Sequence, residues 1–212
     1  MTTPVKVCGI TRTSDAGLAA ELGATWVGFV FWPMSPRAVR PAAAAASLAE
    51  LPPHVAGVGV FVNQPIDEIN SIGDMVGLAA IQLHGDESDA DCAACRRRVI
   101  RAVRLRPEDD ASVADGSWPR ASVLGDTFDP GRYGGTGRAV NWTGAAGLAS
   151  RRRTLLSGGL APHNVAAAIK AVAPYGVDVS SGVEPAPGFK DPEKLRAFFK
   201  AVRSTNATGN ET

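Results

Sequence analysis

Short apolar segments rich in valine and isoleucine alternate with helical patterns along the whole chain. Most are continuous apolar runs, not in–out alternations, which is typical of parallel strands covered on their outer face. There are eight of them, at residues 4–9, 26–31, 56–62, 79–84, 99–105, 121–126, 154–158 and 176–181. Eight strand–helix units favour a closed barrel over an open doubly wound sheet. We therefore predict an α/β fold, a single (β/α)8 TIM barrel with eight parallel strands.

The segments between the strands carry helix signals of unequal strength. The clearest lies over 191–203, where Asp191 can cap the first turn and an apolar stripe recurs at helical spacing, at Leu195, Phe198, Phe199 and Val202. Residues 107–120 hold too few apolar positions for a full helix, so we expect the fifth helix to be degenerate, a loop or a short turn. The glycine-rich stretch 127–141 is too long for a plain connector, and loops of that length are usually functional.

Composition excludes several classes of function. The formal net charge of +1 creates no field that would gather nucleic acid or an anionic membrane surface. No segment approaches the roughly 18 apolar residues of a membrane span. Three widely placed cysteines do not form a disulfide framework, which favours a reduced, cytoplasmic protein. Without a composition break, we place one barrel domain at 1–204 and a flexible C-terminal tail at 205–212.

Residues typical of binding sites cluster where the predicted strands end, which is where barrels of this kind place their active sites. The last two strands lead into turns rich in glycine and serine. Phosphate groups commonly bind at these two loops, because backbone N–H groups can approach an anion closely there. The alternative is that both segments are simple tight turns. We interpret them as a site for a phosphorylated small molecule, formed by Gly158, Gly159, Ser180, Ser181 and Gly182.

Seven motifs resemble those of the phosphoribosylanthranilate isomerase family, in the same order: KVCGITR (6–12), GFVFWPMSPRAV (28–39), VGVFVN (58–63), IQLHGDE (81–87), YGGTGR (133–138), LSGGLAPHNV (156–165) and GVDVSSGVE (176–184). The resemblance covers nearly the whole chain. It implies an aldose–ketose isomerase of tryptophan biosynthesis, which performs the Amadori rearrangement of N-(5′-phosphoribosyl)anthranilate. That reaction needs a general acid at the sugar ring oxygen and a general base at C2′. It needs neither a metal nor an organic cofactor.

The resemblance assigns the base to Cys8 and the acid to Asp126. A free thiol has a pKa of about 8.5, so Cys8 serves as a base only where its surroundings favour thiolate, and Lys6 on the same strand face is placed to help. Outside the motif, a small core cysteine would be the ordinary interpretation. Asp126 ends a predicted strand, with Asp129 as a competing carboxylate. Its neighbour Gly125 stands where the family more often has an apolar residue.

Three further residues are predicted to bind the substrate. Arg37 matches the family residue that pairs with the anthranilate carboxylate, a task that suits a guanidinium; a salt bridge within the protein is the alternative. His84 follows the fourth strand and either positions the substrate or is a structurally bonded histidine. Asp178 shares a strand face with Ser180 and is a candidate for holding sugar hydroxyls.

Other interpretations compete with this one. A ribulose-phosphate epimerase would need metal-binding histidines and aspartates at several strand ends, and the chain has three histidines in all. The remaining alternatives are another sugar-phosphate barrel isomerase and a non-catalytic barrel that binds a phosphorylated ligand. Cys92 and Cys95 form a CxxC pattern without a second pair of zinc ligands, so we interpret their spacing as incidental. We expect a monomer or a homodimer.

Overall fold

The computed structural model describes residues 2–106, 118, 121–127 and 141–207 of the chain. Eight strands close into one barrel in chain order, every pair parallel, with the last strand paired to the first. They are β1 (Val5–Cys8), β2 (Trp26–Val30), β3 (Ala56–Phe61), β4 (Ala80–Leu83), β5 (Arg98–Leu105), β6 (Ser122–Thr127), β7 (Thr154–Leu156) and β8 (Gly176–Val179). The predicted (β/α)8 barrel and all eight predicted strands are therefore confirmed.

Within the described ranges, helices cover the outside of the barrel. They are α1 (Thr13–Glu21), α2 (Pro41–Ala49), α3 (Ile66–Val76), α4 (Asp89–Ala94), α5 (Trp142–Arg151), α6 (Val165–Val172) and α7 (Pro192–Ala207). The carboxylate of Asp191 accepts hydrogen bonds from the backbone N–H groups of Glu193 and Lys194, so the predicted cap of α7 is confirmed. Helix α7 runs to Ala207, into the segment predicted as a tail. The segment 107–120, expected to hold a degenerate fifth helix, lies outside the described residues except for Trp118. Residues 128–140 of the glycine-rich loop also lie outside them.

Side chains on the strands alternate between two cores, one outside the barrel and one inside it. In β1, Val5 and Val7 pack into the core between strands and helices, whereas Lys6 and Cys8 turn inwards. The apolar stripe predicted for α7 lies in the outer core, with all four side chains no more than 3% exposed. None of the described helices is both long and apolar enough to cross a membrane.

Candidate active site

The strands bring the predicted site residues to one end of the barrel. In a closed parallel barrel all the strands point the same way, so residues at their C-terminal ends surround one opening. Cys8 is the last residue of β1, Asp126 lies next to the end of β6, and Asp178 lies next to the end of β8. The remaining predicted residues follow strands in the loops at the same end: Arg37, His84, Gly158, Gly159, Ser180, Ser181 and Gly182.

Cys8 belongs to a buried polar cluster with Lys6 and Asp178. Lys6 and Asp178 are direct partners in the register between β1 and β8, and the Lys6 ammonium donates a hydrogen bond of 3.1 Å to the Asp178 carboxylate. A β-carbon on Gly28 would lie 2.9 Å from the Cys8 sulfur and 3.1 Å from the Lys6 nitrogen. The bare backbone of Gly28, the register partner of Cys8, therefore provides the space that the thiol and the ammonium share.

Burial and charge act on this cluster in opposite directions. Burial raises the pKa of the Cys8 thiol, and the positive charges of Lys6 and Lys190 oppose that rise without cancelling it. Lys6 therefore favours thiolate, as predicted, but burial has the larger effect. Burial alone would lower the pKa of Lys6, but attraction to Asp178 and Cys8 outweighs it, and the pKa of Lys6 is raised. The ammonium of Lys6 thus keeps its charge inside the barrel.

Asp126 is held by hydrogen bonds from the loops that follow β4 and β7. The residue is 4% exposed. One carboxylate oxygen lies 3.2 Å from Nε2 of His84, and the other accepts from the Ser157 hydroxyl at 3.4 Å. The Gln82 amide nitrogen lies 3.0 Å from Nδ1 of His84. Where Gln82 donates to Nδ1, Nε2 carries a ring hydrogen and donates it to Asp126. His84 thus orients the carboxylate, as the structurally bonded alternative requires.

Gly125 does not disturb this arrangement. A β-carbon at Gly125 would lie in ordinary contact with Leu105, Leu148 and Thr154 at 3.4–4.0 Å. Leu105 and Leu148 belong to the outer core, so Gly125 faces away from the barrel interior and from Asp126. The departure from the family pattern at this position therefore changes the packing outside the barrel and not the surroundings of the carboxylate.

Arg37 is bound within the protein through one edge of its guanidinium. Its Nε and Nη2 donate to the Glu184 carboxylate at 3.0 and 2.6 Å, so the salt bridge considered as the alternative exists. Nη1 has no hydrogen-bond partner among the described residues, which leaves the Nη1–Nη2 edge open to a second carboxylate. The arginine chain passes directly over Gly9, whose β-carbon would lie 2.5 Å from Cδ of Arg37. Arg37 therefore lies against the end of β1, beside Cys8.

The two glycine- and serine-rich loops after β7 and β8 pack against each other. Gly158 and Gly159 both have positive φ angles, 88° and 64°, which glycine adopts without strain. A β-carbon on Gly182 would overlap the carbonyl oxygen of Leu160, so the two loops touch through backbone atoms. Ser181–Val183 forms a short 3₁₀ turn. The predicted phosphate-binding residues are thus adjacent in space, at the same end of the barrel as Cys8 and Asp126.

Comparison with known proteins identifies the family. The family model described as N-(5'phosphoribosyl)anthranilate (PRA) isomerase matches residues 5–201. The chain belongs to this family. The PRA isomerase of Pelobacter propionicus is 48% identical over 203 residues, which cover 96% of this chain and 97% of that relative.

Solved structures of the family have the same fold. The isomerase from Thermus thermophilus superposes with a TM-score of 0.87 at 41% identity, over 95% of this chain and 98% of that one. Another PRA isomerase, solved in complex with reduced 1-(o-carboxyphenylamino)-1-deoxyribulose 5-phosphate, superposes with a TM-score of 0.83 at 39% identity, over 95% of this chain and 99% of that one.

Several residues at the PRA isomerase site were not singled out by the sequence patterns. Glu184 holds Arg37, Lys190 holds Glu184 at 2.6 Å, and Gln82 and Ser157 contact the pair of His84 and Asp126. Glu184 stands within a quoted motif, but its role depends on an arginine 147 residues away along the chain. A signal did exist: a charged residue in a loop that follows a barrel strand needs a partner if it is buried.

The two cysteines outside the site have the character of packed side chains. Cys92 lies on α4 and Cys95 follows its end, both in contact with the outer core. Burial raises the pKa of Cys92 to about 11 and also raises the pKa of Cys95, so neither is a reactive thiolate near neutral pH. Across the described part of the chain, no three His, Cys, Asp or Glu side chains are grouped so that they could hold a metal ion.

Proposed function

We propose that the chain converts N-(5′-phosphoribosyl)anthranilate to 1-(2-carboxyphenylamino)-1-deoxyribulose 5-phosphate in tryptophan biosynthesis, with Cys8 as general base and Asp126 as general acid. One observation carries the assignment of roles. The buried thiol ends β1 and the buried carboxyl group lies next to the end of β6, so the two groups come from different strands at the same end of the barrel. Two proton-transfer groups thus act on one bound sugar from separate positions, as the two steps of the reaction require.

Ring opening is the task of Asp126. In its protonated form it donates its proton to the ring oxygen of the ribose, the C1′–O bond breaks, and the substrate nitrogen supplies electrons to form a protonated imine. His84 and Ser157 fix the carboxylate from two sides, so the proton is delivered from a defined position. A positioned general acid contributes about 100- to 10,000-fold in rate.

Proton removal from C2′ is the task of Cys8. The pKa of its thiol is raised by burial in the free protein, but the protonated imine brings a positive charge next to it and favours thiolate. The thiolate takes the C2′ proton, and the C–H electron pair flows into the imine to give an enolamine. The Cys8 thiol then gives its proton to C1′, and the Asp126 carboxylate left by ring opening takes the enol proton to give the ketone. The thiolate and the protonated acid are thus regenerated.

The remaining residues hold the two ends of the substrate. We assign the open edge of Arg37 to the anthranilate carboxylate, where the guanidinium donates two parallel hydrogen bonds. The 5′-phosphate is assigned to the paired loops after β7 and β8, namely Gly158, Gly159, Ser180, Ser181 and Gly182. Asp178 is assigned to the sugar hydroxyls, and His84 acts on substrate through Asp126.

Location and assembly belong to the same proposal. We infer a cytoplasmic enzyme, which is supported by the free state of all three cysteines, because cysteines of secreted proteins are usually paired in disulfides. Monomer or homodimer remains the expectation from the sequence.

The test follows the fluorescence of freshly prepared N-(5′-phosphoribosyl)anthranilate, which decays as the anthranilate-type emission is lost on turnover. We expect Cys8→Ala and Asp126→Asn each to lower kcat by roughly 100- to 10,000-fold while circular dichroism and Tm show a folded barrel. Cys92→Ala is the matched control, because it removes a thiol on α4 that packs against the outer core, and we expect it to leave kcat unchanged.

Two results would contradict the proposal. Unchanged turnover in Cys8→Ala removes the assigned base, and unchanged turnover in Asp126→Asn removes the assigned acid. A parent chain that binds the substrate without converting it identifies a non-catalytic barrel instead.

A further inference from the structure

Lys190 has an unusual environment for a lysine. It lies between the 3₁₀ turn and α7, is 2% exposed, and has an ammonium group with three hydrogen-bond acceptors. These are the carbonyl oxygen of Cys8 at 2.5 Å, the carbonyl oxygen of Ser180 at 3.3 Å and the carboxylate of Glu184 at 2.6 Å. An ammonium has three N–H donors, so every donor of this buried group is used.

The three acceptors belong to three different parts of the site. Cys8 ends β1 and carries the assigned base, Ser180 begins the phosphate loop after β8, and Glu184 holds Arg37. Each acceptor thus belongs to a residue that carries or holds a different substrate-contacting group: the Cys8 thiol, the loop after β8, or the Arg37 guanidinium. A single cation therefore fixes the distances between the base, the phosphate loop and the arginine.

The backbone of Lys190 is itself held in place. Its N–H donates to the carboxylate of Asp15 at 3.1 Å, and its carbonyl accepts from Arg12 at 3.2 Å. The next residue, Asp191, donates its N–H to Val183 at 2.8 Å. Burial of a lysine is costly unless all its hydrogen bonds are made. At Lys190 both the side-chain ammonium and the backbone N–H and carbonyl groups are hydrogen-bonded.

We propose that Lys190 is a positioning residue for the isomerase reaction: its ammonium ties the end of β1 to the phosphate loop and to the Glu184–Arg37 pair, and so sets where the Cys8 thiol meets C2′ of the substrate. The role in turnover rests on the proposed function. The tie itself is a property of the folded chain and can be measured without substrate.

The pKa of the Cys8 thiol gives a second readout, which does not depend on turnover. The ionisable groups that act on Cys8 are Lys6 from its own strand, Asp178 from β8 and Lys190 from the segment before α7. Lys190 in turn faces Glu184 and Arg37. Lys190 opposes the rise in the pKa of Cys8, so its removal must raise that pKa further. Deprotonation of the thiol then moves to higher pH.

The experiment uses a Cys92→Ala/Cys95→Ala background, in which Cys8 is the one remaining thiol of the sequence. Alkylation of Cys8 by iodoacetamide is measured against pH, and kcat and KM are measured with the fluorescent substrate. The variants are Lys190→Met and Lys190→Gln. Lys194→Met is the matched control, because Lys194 donates to the backbone carbonyl of the same Glu184 at 3.1 Å but contacts neither Cys8 nor Ser180.

We expect Lys190→Met to lower kcat by roughly 10- to 100-fold, since small displacements of a reacting group have effects of that size. The pH midpoint of Cys8 alkylation should rise in Lys190→Met and Lys190→Gln and stay at the parent value in Lys194→Met. A purely structural role would lower Tm in Lys190→Met without moving kcat or the alkylation midpoint, and that result overturns the proposal.

Two further outcomes are also decisive. If Lys190→Met does not fold, Lys190→Arg replaces it, because a guanidinium keeps the charge but cannot direct three donors to the same acceptors; an unchanged kcat in that variant overturns the proposal. If the parent chain shows no isomerase activity, the proposed function fails, while the alkylation midpoints still decide whether Lys190 controls the thiol.

Discussion

The two ends of the barrel interior differ in polarity. At the C-terminal end the interior is polar: Lys6, Cys8, His84, Asp126 and Asp178 are each no more than 8% exposed. Hydrogen bonds join Lys6 to Asp178 and His84 to Asp126. Towards the N-terminal end the interior is an apolar cluster without a charge, made of Val58, Ala80, Ile100, Ala102, Leu124 and Leu155, with Trp26 packed against it.

The N-terminal opening differs from the active-site end in the same way. A cavity of about 320 Å³ opens there, with Trp26, Arg98, Arg153 and Tyr175 among its lining residues. Arg153 stacks over the ring of Tyr175 at 3.7 Å, and no carboxylate belongs to the described residues that line the cavity. Charges at this end stay at the surface, in water. At the other end they are buried in pairs, which lowers stability unless every partner is present.

Breaking a buried pair should have the largest effect. Lys6→Met leaves the Asp178 carboxylate without its cation, and removing one partner of a buried pair costs about 3–5 kcal/mol. We expect the free energy of unfolding to fall by that amount in urea titrations, together with a loss of turnover.

The double variant Lys6→Met/Asp178→Asn tests the physical reason. It removes both charges, so most of the lost stability should return while turnover stays low. If the double variant is as unstable as Lys6→Met, the cost lies in packing and not in the unpaired charge.

Leu124→Ala probes the apolar end, where stability and catalysis should separate. Leu124 is fully buried, and shortening such a side chain costs about 2–5 kcal/mol. We expect a lower urea midpoint with kcat of the folded protein near the parent value. Leu124→Met is the control, since a change that conserves volume costs under about 1.5 kcal/mol. A large fall in kcat would show that the two ends of the interior are coupled.

Gly125→Ala should have the smallest effect and the opposite sign. The new methyl group would meet its neighbours at van der Waals distance on the outer face of β6. An alanine also lowers the conformational entropy of the unfolded chain, so the free energy of unfolding should rise by up to about 1 kcal/mol. Thermal unfolding and kcat measure the two properties separately. A lower kcat would mean that the strand position of Asp126 depends on a glycine beside it.

Parts of the site could be predicted because they depend on local sequence. The end of a strand followed by Cys8-Gly9, and the glycine pair Gly158-Gly159, mark loop positions whose backbone conformation is set by neighbouring residues. The sequence also predicted Asp126 at a strand end. Whether Gly125 alters the surroundings of this carboxylate was decided by the structure, because successive residues of a strand face opposite sides of the barrel. The alternatives for Arg37 and His84 were undecided in the sequence, because both depend on a partner from another strand or loop.

The hydrophobic pattern by itself determined the eight parallel strands, the outer stripe of α7 and the end of the barrel that carries the chemistry, because strand and helix periods are properties of adjacent residues. Only the tertiary structure decided the partners of the buried charges. Lys6 meets Asp178 across 172 residues of chain, and Lys190 meets Cys8 across 182. Closure of the barrel sets which strands are neighbours and in what register, and a buried charge is stabilised only by the group that this register places against it.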